Sequence, residues 1–166
     1  MSNHKFDSVK INKMIKYIKS DARPNEVNND RKLNEVPEEI IELIKEVTTE
    51  KEYNSIYEIN IMNLSDNIEP HDDESFIGSG IKKDVILVCL KSETNCSAKF
   101  DQIPRNNHLY HSKKFEEIDC PEGFVDVIKF DASKEHAMMV SKNFVGFGIW
   151  FRKGRNTKPS KFWDQI

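Results

Sequence analysis

One apolar segment, residues 84–91 with the sequence DVILVCLK, restricts the fold of this chain more than any other. Most of its side chains are apolar and several are β-branched, which is typical of a strand covered on both faces. A second segment, residues 144–152 (FVGFGIWFR), has aromatic side chains on both faces and two glycines, Gly146 and Gly148, that let another group approach the backbone. The sequence therefore predicts a sheet built around central, buried strands.

The hydrophobic period changes along the chain from about 3.6 residues to 2. Residues 7–20 predict an amphipathic helix capped by Asp7 or Ser8, and a second helix begins at Pro37 and ends near Thr49. Strands are predicted after it at residues 56–62, 84–91, 96–100, 109–112, 114–118, 124–130 and 144–152. Helices followed by many short strands indicate an α+β fold, with the helices packed on an antiparallel sandwich or barrel.

Length and composition suit one globular domain. The chain has 166 residues, of which 37% are hydrophobic and 32% are charged. No stretch approaches the roughly 20 apolar residues that a membrane-spanning helix needs, and the N-terminus lacks the apolar part of a secretory signal, so no membrane partner is expected. Three cysteines, Cys89, Cys96 and Cys120, form no C-x-x-C pair. Free thiols in a reducing compartment, and hence a cytoplasmic location, are the expectation, with Cys89 buried in a strand.

Charge and polarity divide the chain into three parts. Residues 1–35 predict an N-terminal helix and a polar linker, residues 36–153 a core, and residues 154–166 a basic tail. The net charge is -3, but Lys and Arg are concentrated at both ends and acidic residues in the middle. If the two ends fold onto one face, that face could hold phosphates. An ordinary solvated surface is the alternative.

The segment IEPHDDE contains the candidate metal ligands His71 and Asp73. In extended chain, residues two apart point to the same side, so an imidazole and a carboxylate can bind one cation. A third ligand must come from elsewhere, and His136 is the candidate because it lies between two predicted strands. Two His and one carboxylate form the facial triad of non-haem Fe(II) oxygenases.

The order of several motifs resembles the AlkB-like branch of the 2-oxoglutarate/Fe(II) dioxygenases. The stretch NIMNLSDNIEPHDDE, preceded by a helix that starts PEEI and followed by the strand DVILVCL, places Asn60 at the family's Asn and His71, Asp73 and Glu74 on its H-x-D-E motif. His136 in KEHAMMVS is similar to the distal ligand segment. Residues 150–152, WFR, resemble the signature that ends the family's last strand. The resemblance covers roughly residues 36 to 153.

The resemblance implies a double-stranded β-helix (jelly-roll) core with N-terminal helices on the sheet. It implies Fe(II) held by His71, Asp73 and His136, with 2-oxoglutarate and O₂ as co-substrates and Asn60 near the co-substrate. The implied reaction is oxidative demethylation or hydroxylation of nucleic acid, with a methylated base as substrate. Asp72 or Glu74 would orient the ring of His71.

Two departures from the family keep other functions open. Met62 stands where the family has a Tyr, and residues 144–146 lack the Arg that pairs with the distal carboxylate of 2-oxoglutarate. Lys142 or Arg152 could replace it. A catalytically degenerate binding module and a protein side-chain hydroxylase are the alternatives. The last strand's aromatics are either core residues or, as in single-strand binders, platforms for bases. The sequence predicts no oligomeric state.

Overall fold

The computed structural model describes residues 2–77, 80–90, 97–103, 116–118 and 120–153. Its helices are α1 (Ser8–Asp21), α2 (Glu38–Val47), α3 (Glu50–Asn54) and α4 (Glu74–Ile77), with a 3₁₀ turn at Leu33–Glu35. Among the helices in these ranges, none has the length and apolar character required to span a membrane.

Ten strands form two sheets in the described residues. They are β1 (Ser2–Lys5), β2 (Asp30–Arg31), β3 (Ile56–Leu64), β4 (Ile68–His71), β5 (Asp84–Leu90), β6 (Ala98–Ile103), β7 (Glu116–Ile118), β8 (Phe124–Asp131), β9 (Glu135–Val140) and β10 (Phe144–Phe151). The larger sheet has the order β1-β8-β5-β10-β3-β2, and the smaller has the order β4-β9-β6-β7. Each of these neighbouring strand pairs is antiparallel. The protein therefore has a β-rich α+β fold, as the sequence predicts.

Helix α1 forms where the sequence places it. The Asp7 side chain accepts a hydrogen bond from the backbone N–H of Lys10 at 3.0 Å, which caps the first turn. Helix α2 follows Pro37, with Glu38 and Glu39 in its first turn. Both helices bury a stripe of apolar residues, which are Ile11, Met14, Ile15 and Ile18 in α1 and Ile40, Leu43 and Ile44 in α2. These stripes cover one face of the larger sheet.

Strand β5 is central, as predicted, since it pairs with β8 on one side and with β10 on the other. Its alternate residues enter two separate cores. Val88 lies in the core between the sheet and the helices, whereas Leu87 and Cys89 lie in the core between the two sheets. The second core includes residues of both sheets, so the sheets pack face to face.

Several predicted element boundaries differ from the structure. The polar linker predicted within residues 1–35 contains regular structure, because β2 lies in it and pairs with β3, and the 3₁₀ turn begins at Leu33. Strands β1, β4 and β9 had no predicted counterpart as strands. Strand β6 begins two residues later than predicted and extends to Ile103. The predicted strand at residues 109–112 lies outside the described residues.

The basic N-terminal helix is partly neutralised by its neighbour. Lys10 Nζ lies 2.6 Å from Glu42 Oε2, and Lys13 Nζ lies 3.9 Å from Glu39 Oε1. The acidic partners belong to α2, which packs beside α1 on the outer side of the sheet. This pairing favours an ordinary solvated surface at the beginning of the chain. The tail after Gly154 lies outside the described residues.

Gly146 in β10 is required by close packing. A Cβ atom at this position would overlap the backbone oxygen of Val88 in the neighbouring strand and would lie 2.9 Å from Cζ of Phe144. At Gly148, two residues further, the nearest atom to an added Cβ is Cγ1 of Val85 at 4.0 Å. The two glycines of the last strand therefore have different roles, although the sequence pattern does not distinguish them.

We expect Gly146→Ala to lower the free energy of unfolding by about 2 kcal/mol, because the added methyl group forces neighbouring strands apart. Gly148→Ala serves as the matched control and should change stability by less than about 1 kcal/mol. Urea unfolding followed by circular dichroism measures both values. Equal stability of the two variants would contradict the packing described for Gly146.

Candidate metal centre

His71 and His136 are brought together by the pairing of β4 with β9. The two strands are antiparallel, and His71 is the direct partner of His136. Directly opposed residues project from the same face of a sheet, so both imidazoles point to one side. Their ring centroids lie 4.3 Å apart with an interplanar angle of 60°.

Asp73 completes the group from the connection between β4 and α4. Its backbone N–H donates to the oxygen of Ala132 at 2.9 Å, which holds this connection against the turn before β9. The Asp73 carboxylate lies 3.7 Å from His71 Nε2 through Oδ1 and 3.3 Å from His136 Nε2 through Oδ2. One ligand atom from each of the three residues lies within 4.8 Å of the others. In the described part of the chain, they are the residues arranged to hold a metal ion.

Backbone oxygens orient both imidazole rings. His71 Nδ1 lies 2.7 Å from the oxygen of Glu69, and His136 Nδ1 lies 2.8 Å from the oxygen of Lys134. A carbonyl oxygen only accepts, so Nδ1 carries the proton and the neutral ring keeps its lone pair on Nε2. Nε2 is the atom that faces Asp73 in each case. The sequence assigned the orientation of His71 to Asp72 or Glu74 and missed this backbone contact.

The centre has a closed side and an open side. The His136 residue is 6% exposed, and its ring packs against the rings of Phe130 and Phe100 with centroid distances of 4.9 and 6.2 Å. The side chain of His71, in contrast, is 40% exposed. A metal ion here would have protein on one side and accessible coordination positions on the other.

The open side faces a cavity of about 230 Å³ between the two sheets. One wall comes from the smaller sheet and carries the three candidate ligands. The opposite wall comes from the larger sheet and the segment before β2, and includes Val27, Asn28, Asp30, Glu58, Asn60, Met62, Val85, Leu87, Gly148 and Trp150. Phe130 also belongs to the larger sheet, but its ring reaches His136 on the closed side. The size suits a small organic molecule.

Two carboxylates in the opposite wall were not predicted as site residues. Burial raises the pKa of Glu58 to about 7, and the negative charge of Asp30 adds to the effect. Burial also raises the pKa of Asp30, against the opposing influence of Arg31. Glu58 is the cross-strand partner of Trp150, and Asp30 is the partner of Asn60. Alternation along β3 places Glu58, Asn60 and Met62 on one face, and this pattern could have revealed the wall.

The three residues predicted to bind a co-substrate, Asn60, Arg152 and Lys142, do not all line the cavity. Asn60 lines the cavity, but its side chain holds the preceding segment: Oδ1 accepts from the N–H of Asn29 at 3.0 Å, and Nδ2 donates to the oxygen of Val27. The guanidinium of Arg152 lies over the ring of Tyr57, 5.4 Å from its centroid. Lys142 is exposed in the turn between β9 and β10. Neither cation is among the residues that line the cavity.

The aromatic residues of β10 separate into core and cavity positions. Phe144, Phe147 and Phe151 are buried in the two cores, and Trp150 lines the cavity. Of the four, Trp150 is therefore the aromatic residue that a cavity ligand would contact.

No family model matches the chain, and no curated protein matches its sequence. Among solved structures, a non-heme monooxygenase, the ThoJ–Ni complex, resembles it with a TM-score of 0.47 and 11% sequence identity. The match covers 89% of this chain and 71% of that one. A likeness of this size carries no inference about activity, so the metal centre rests on its own geometry.

We expect the free energy of unfolding of Glu58→Gln, measured relative to that of the wild type, to increase as the pH rises from about 5 to about 8. Glu58 has a folded-state pKa of about 7 against an ordinary value of 4.5. The folded wild type therefore keeps a proton that the unfolded chain releases in this interval, and its stability falls as the pH rises through it. Gln cannot titrate, so the variant lacks this loss.

Urea unfolding at several pH values measures the difference between Glu58→Gln and the wild type. Glu117→Gln is the control, because Glu117 is exposed in β7 and lies outside the cavity. The difference in free energy of unfolding between this control and the wild type should stay constant with pH. A constant difference for Glu58→Gln as well would show that Glu58 titrates normally.

Proposed function

We propose that this protein is a mononuclear non-haem iron oxidoreductase that uses dioxygen to oxidise a small organic substrate in the cavity. The observation that carries the proposal is the convergence of His71, Asp73 and His136 on one point of the cavity wall. Two imidazoles and one carboxylate on one face of Fe(II) leave three coordination positions for co-substrates.

The donor set fits Fe(II) in type, and its ligand atoms lie within 4.8 Å of one another. Ligand atoms that bind a transition metal at about 2 Å and at right angles lie about 3 Å from one another. The 3.3 Å between Asp73 Oδ2 and His136 Nε2 is close to that spacing, and the 3.7 Å between Asp73 Oδ1 and His71 Nε2 is about 0.7 Å longer. Both Nε2 atoms carry lone pairs in the ring form that the backbone contacts select.

Each part of the site has a role in such chemistry. The three ligands hold the ion, and the oxygens of Glu69 and Lys134 fix the direction of the imidazole lone pairs. The rings of Phe100 and Phe130 exclude water from the side of His136. Bound Fe(II) would supply the activation of dioxygen for oxidation of a C–H bond.

The finer assignment of fold, a double-stranded β-helix, is supported by the order of the strands. From β3 onward the chain alternates between the sheets, with β6 and β7 together in the smaller one. Strands β3 to β10 are eight strands divided equally between two facing antiparallel sheets, which is the arrangement of a jelly roll. An AlkB-like origin would agree with this order and with the position of the ligands.

The described residues do not fit 2-oxoglutarate. A dianion needs a cation for its distal carboxylate, preferably the fork of an Arg. No Lys or Arg occurs among the described residues that line the cavity, whereas Asp30 and Glu58 do. The proposal therefore contains no step through 2-oxoglutarate. Nucleic acid as the substrate remains a prediction of the sequence, with protein side chains as the alternative.

We expect the wild-type protein to bind one equivalent of Co(II), a spectroscopic substitute for Fe(II), with a visible absorption change. His71→Ala, Asp73→Ala and His136→Ala should each weaken binding by more than about 100-fold. Loss of a ligand should exceed the roughly 10–100-fold effect of removing a group that only orients one. The Fe(II) form should also bind nitric oxide, a dioxygen surrogate, which electron paramagnetic resonance detects.

His4→Ala is the matched control for the ligand variants. His4 pairs with Glu46 on the outer side of the molecule and is remote from the cavity. The control should bind Co(II) as the wild type does. If the three ligand variants also bind Co(II) normally, or if the wild type binds none, the chain is not a metal-dependent oxidoreductase, and a metal-free binding module explains the fold better.

A further inference from the structure

The cavity contains two carboxylates that the metal centre does not use. Asp30 in β2 and Glu58 in β3 belong to the larger sheet, whereas the candidate ligands belong to the smaller sheet and the connection after it. Neither carboxylate has an ion-pair partner or a hydrogen-bond donor among the described residues. Arg31, the nearest cation in sequence, donates instead to the backbone oxygens of Asp30 and Asp21.

Glu58 is half-buried and Asp30 is exposed to solvent, so the unpaired charge of Glu58 is the one that needs a compensating group. Surface carboxylates obtain it from water, but Glu58 is sufficiently desolvated to raise its pKa to about 7. A ligand with a positive charge would relieve this desolvation and the repulsion between the two carboxylates. A ligand with a negative charge would increase both.

The charge of a bound metal ion does not reverse this preference. A divalent ion brings two positive charges, and Asp73, Asp30 and Glu58 together bring three negative charges when they are ionised. The cavity then keeps one negative charge, and a dianionic 2-oxo acid would raise it to three. A monovalent cation would bring the cavity to neutrality.

Trp150 supplies an aromatic surface beside the carboxylates. It is the direct cross-strand partner of Glu58, so the two side chains leave the same face of the sheet and both line the cavity. Trp has the strongest attraction for cations among the aromatic side chains. Gly148, the next residue on this face, also lines the cavity and has no side chain to fill it.

We propose that the cavity binds a small organic cation, with Asp30 and Glu58 as its counter-charges and Trp150 as its aromatic wall. This inference rests on the proposed function in one respect, namely that the bound cation would be the substrate that lies next to the metal. The preference for a cation comes from residues of the larger sheet and does not depend on the metal. The same wall excludes dianionic 2-oxo acids.

The test compares choline with 3,3-dimethylbutan-1-ol, the neutral molecule of the same shape, by isothermal titration of the full chain loaded with Co(II). Choline should bind at least about tenfold more tightly, because only the charge differs. Glu58→Gln and Asp30→Asn should each weaken choline binding about tenfold. Neither substitution should change the affinity for the neutral molecule. Titration with 2-oxoglutarate should show weaker binding than choline.

Glu117→Gln, which removes a carboxylate from the exposed surface of β7, should bind choline as the wild type does. Equal affinity for choline and its neutral analogue would overturn the inference. Tighter binding of 2-oxoglutarate than of choline, or no binding of choline at all, would also overturn it. These results depend on probes applied to the wild type, so they hold even if a variant is unstable.

The Co(II) titration separates this inference from the proposed function. If Co(II) does not bind, the oxidoreductase proposal fails, and the choline comparison is repeated on the metal-free chain. There the preference for the cation should be greater, because the repulsion from the metal is absent. If Co(II) binds and choline does not, the cation site fails and the metal centre stands.

Discussion

The antiparallel pairing of β4 with β9 is the interaction on which the candidate metal centre depends. It places two histidines, far apart in the chain, directly opposite each other on one face. A shift of one residue in this register would turn one imidazole to the other face of the sheet. The N–H of Asp73 adds a second connection through Ala132, which fixes the carboxylate after the strand has ended. The group is thus specified by backbone pairing before any metal arrives.

The two cores explain why the cavity has room to exist. The helices α1 and α2 cover the outer face of the larger sheet with their apolar stripes, and this core provides burial that does not involve the site. The inner face needs only enough apolar contact to hold the sheets together, which residues such as Leu87, Cys89 and Phe144 supply. Polar residues of β3 can therefore face the remaining space between the sheets.

Features with a strong local pattern could be predicted from the sequence. The two helices have caps and apolar stripes, the continuous apolar run of β5 marks a central strand, and His71 and Asp73 are close in sequence. His136 could be named because of its place between strands and a resemblance to a known family, but its register against β4 depends on tertiary pairing. Short strands such as β2 carry almost no signal of their own.

The acidic wall escaped prediction for a related physical reason. Asp30 comes from a two-residue strand inside a polar segment, and it reaches the cavity only because β2 pairs with β3. Glu58 looks like the solvent-facing residue of an alternating strand, since a sequence does not reveal that the space in front of it is enclosed. The position of a predicted cation depends on tertiary structure in the same way, because Arg152 follows a register shift after Trp150 and lies over the ring of Tyr57.

The main-chain contacts of the two imidazoles bear on how such a site can persist while the sequence changes. Each ring is oriented by the carbonyl oxygen two residues before it, and every amino acid offers that oxygen. The identities of the side chains at Glu69 and Lys134 are therefore free to drift, provided that the strands keep their shape. Ligand geometry of this kind is set by the backbone, and it requires no particular side chain at the orienting position.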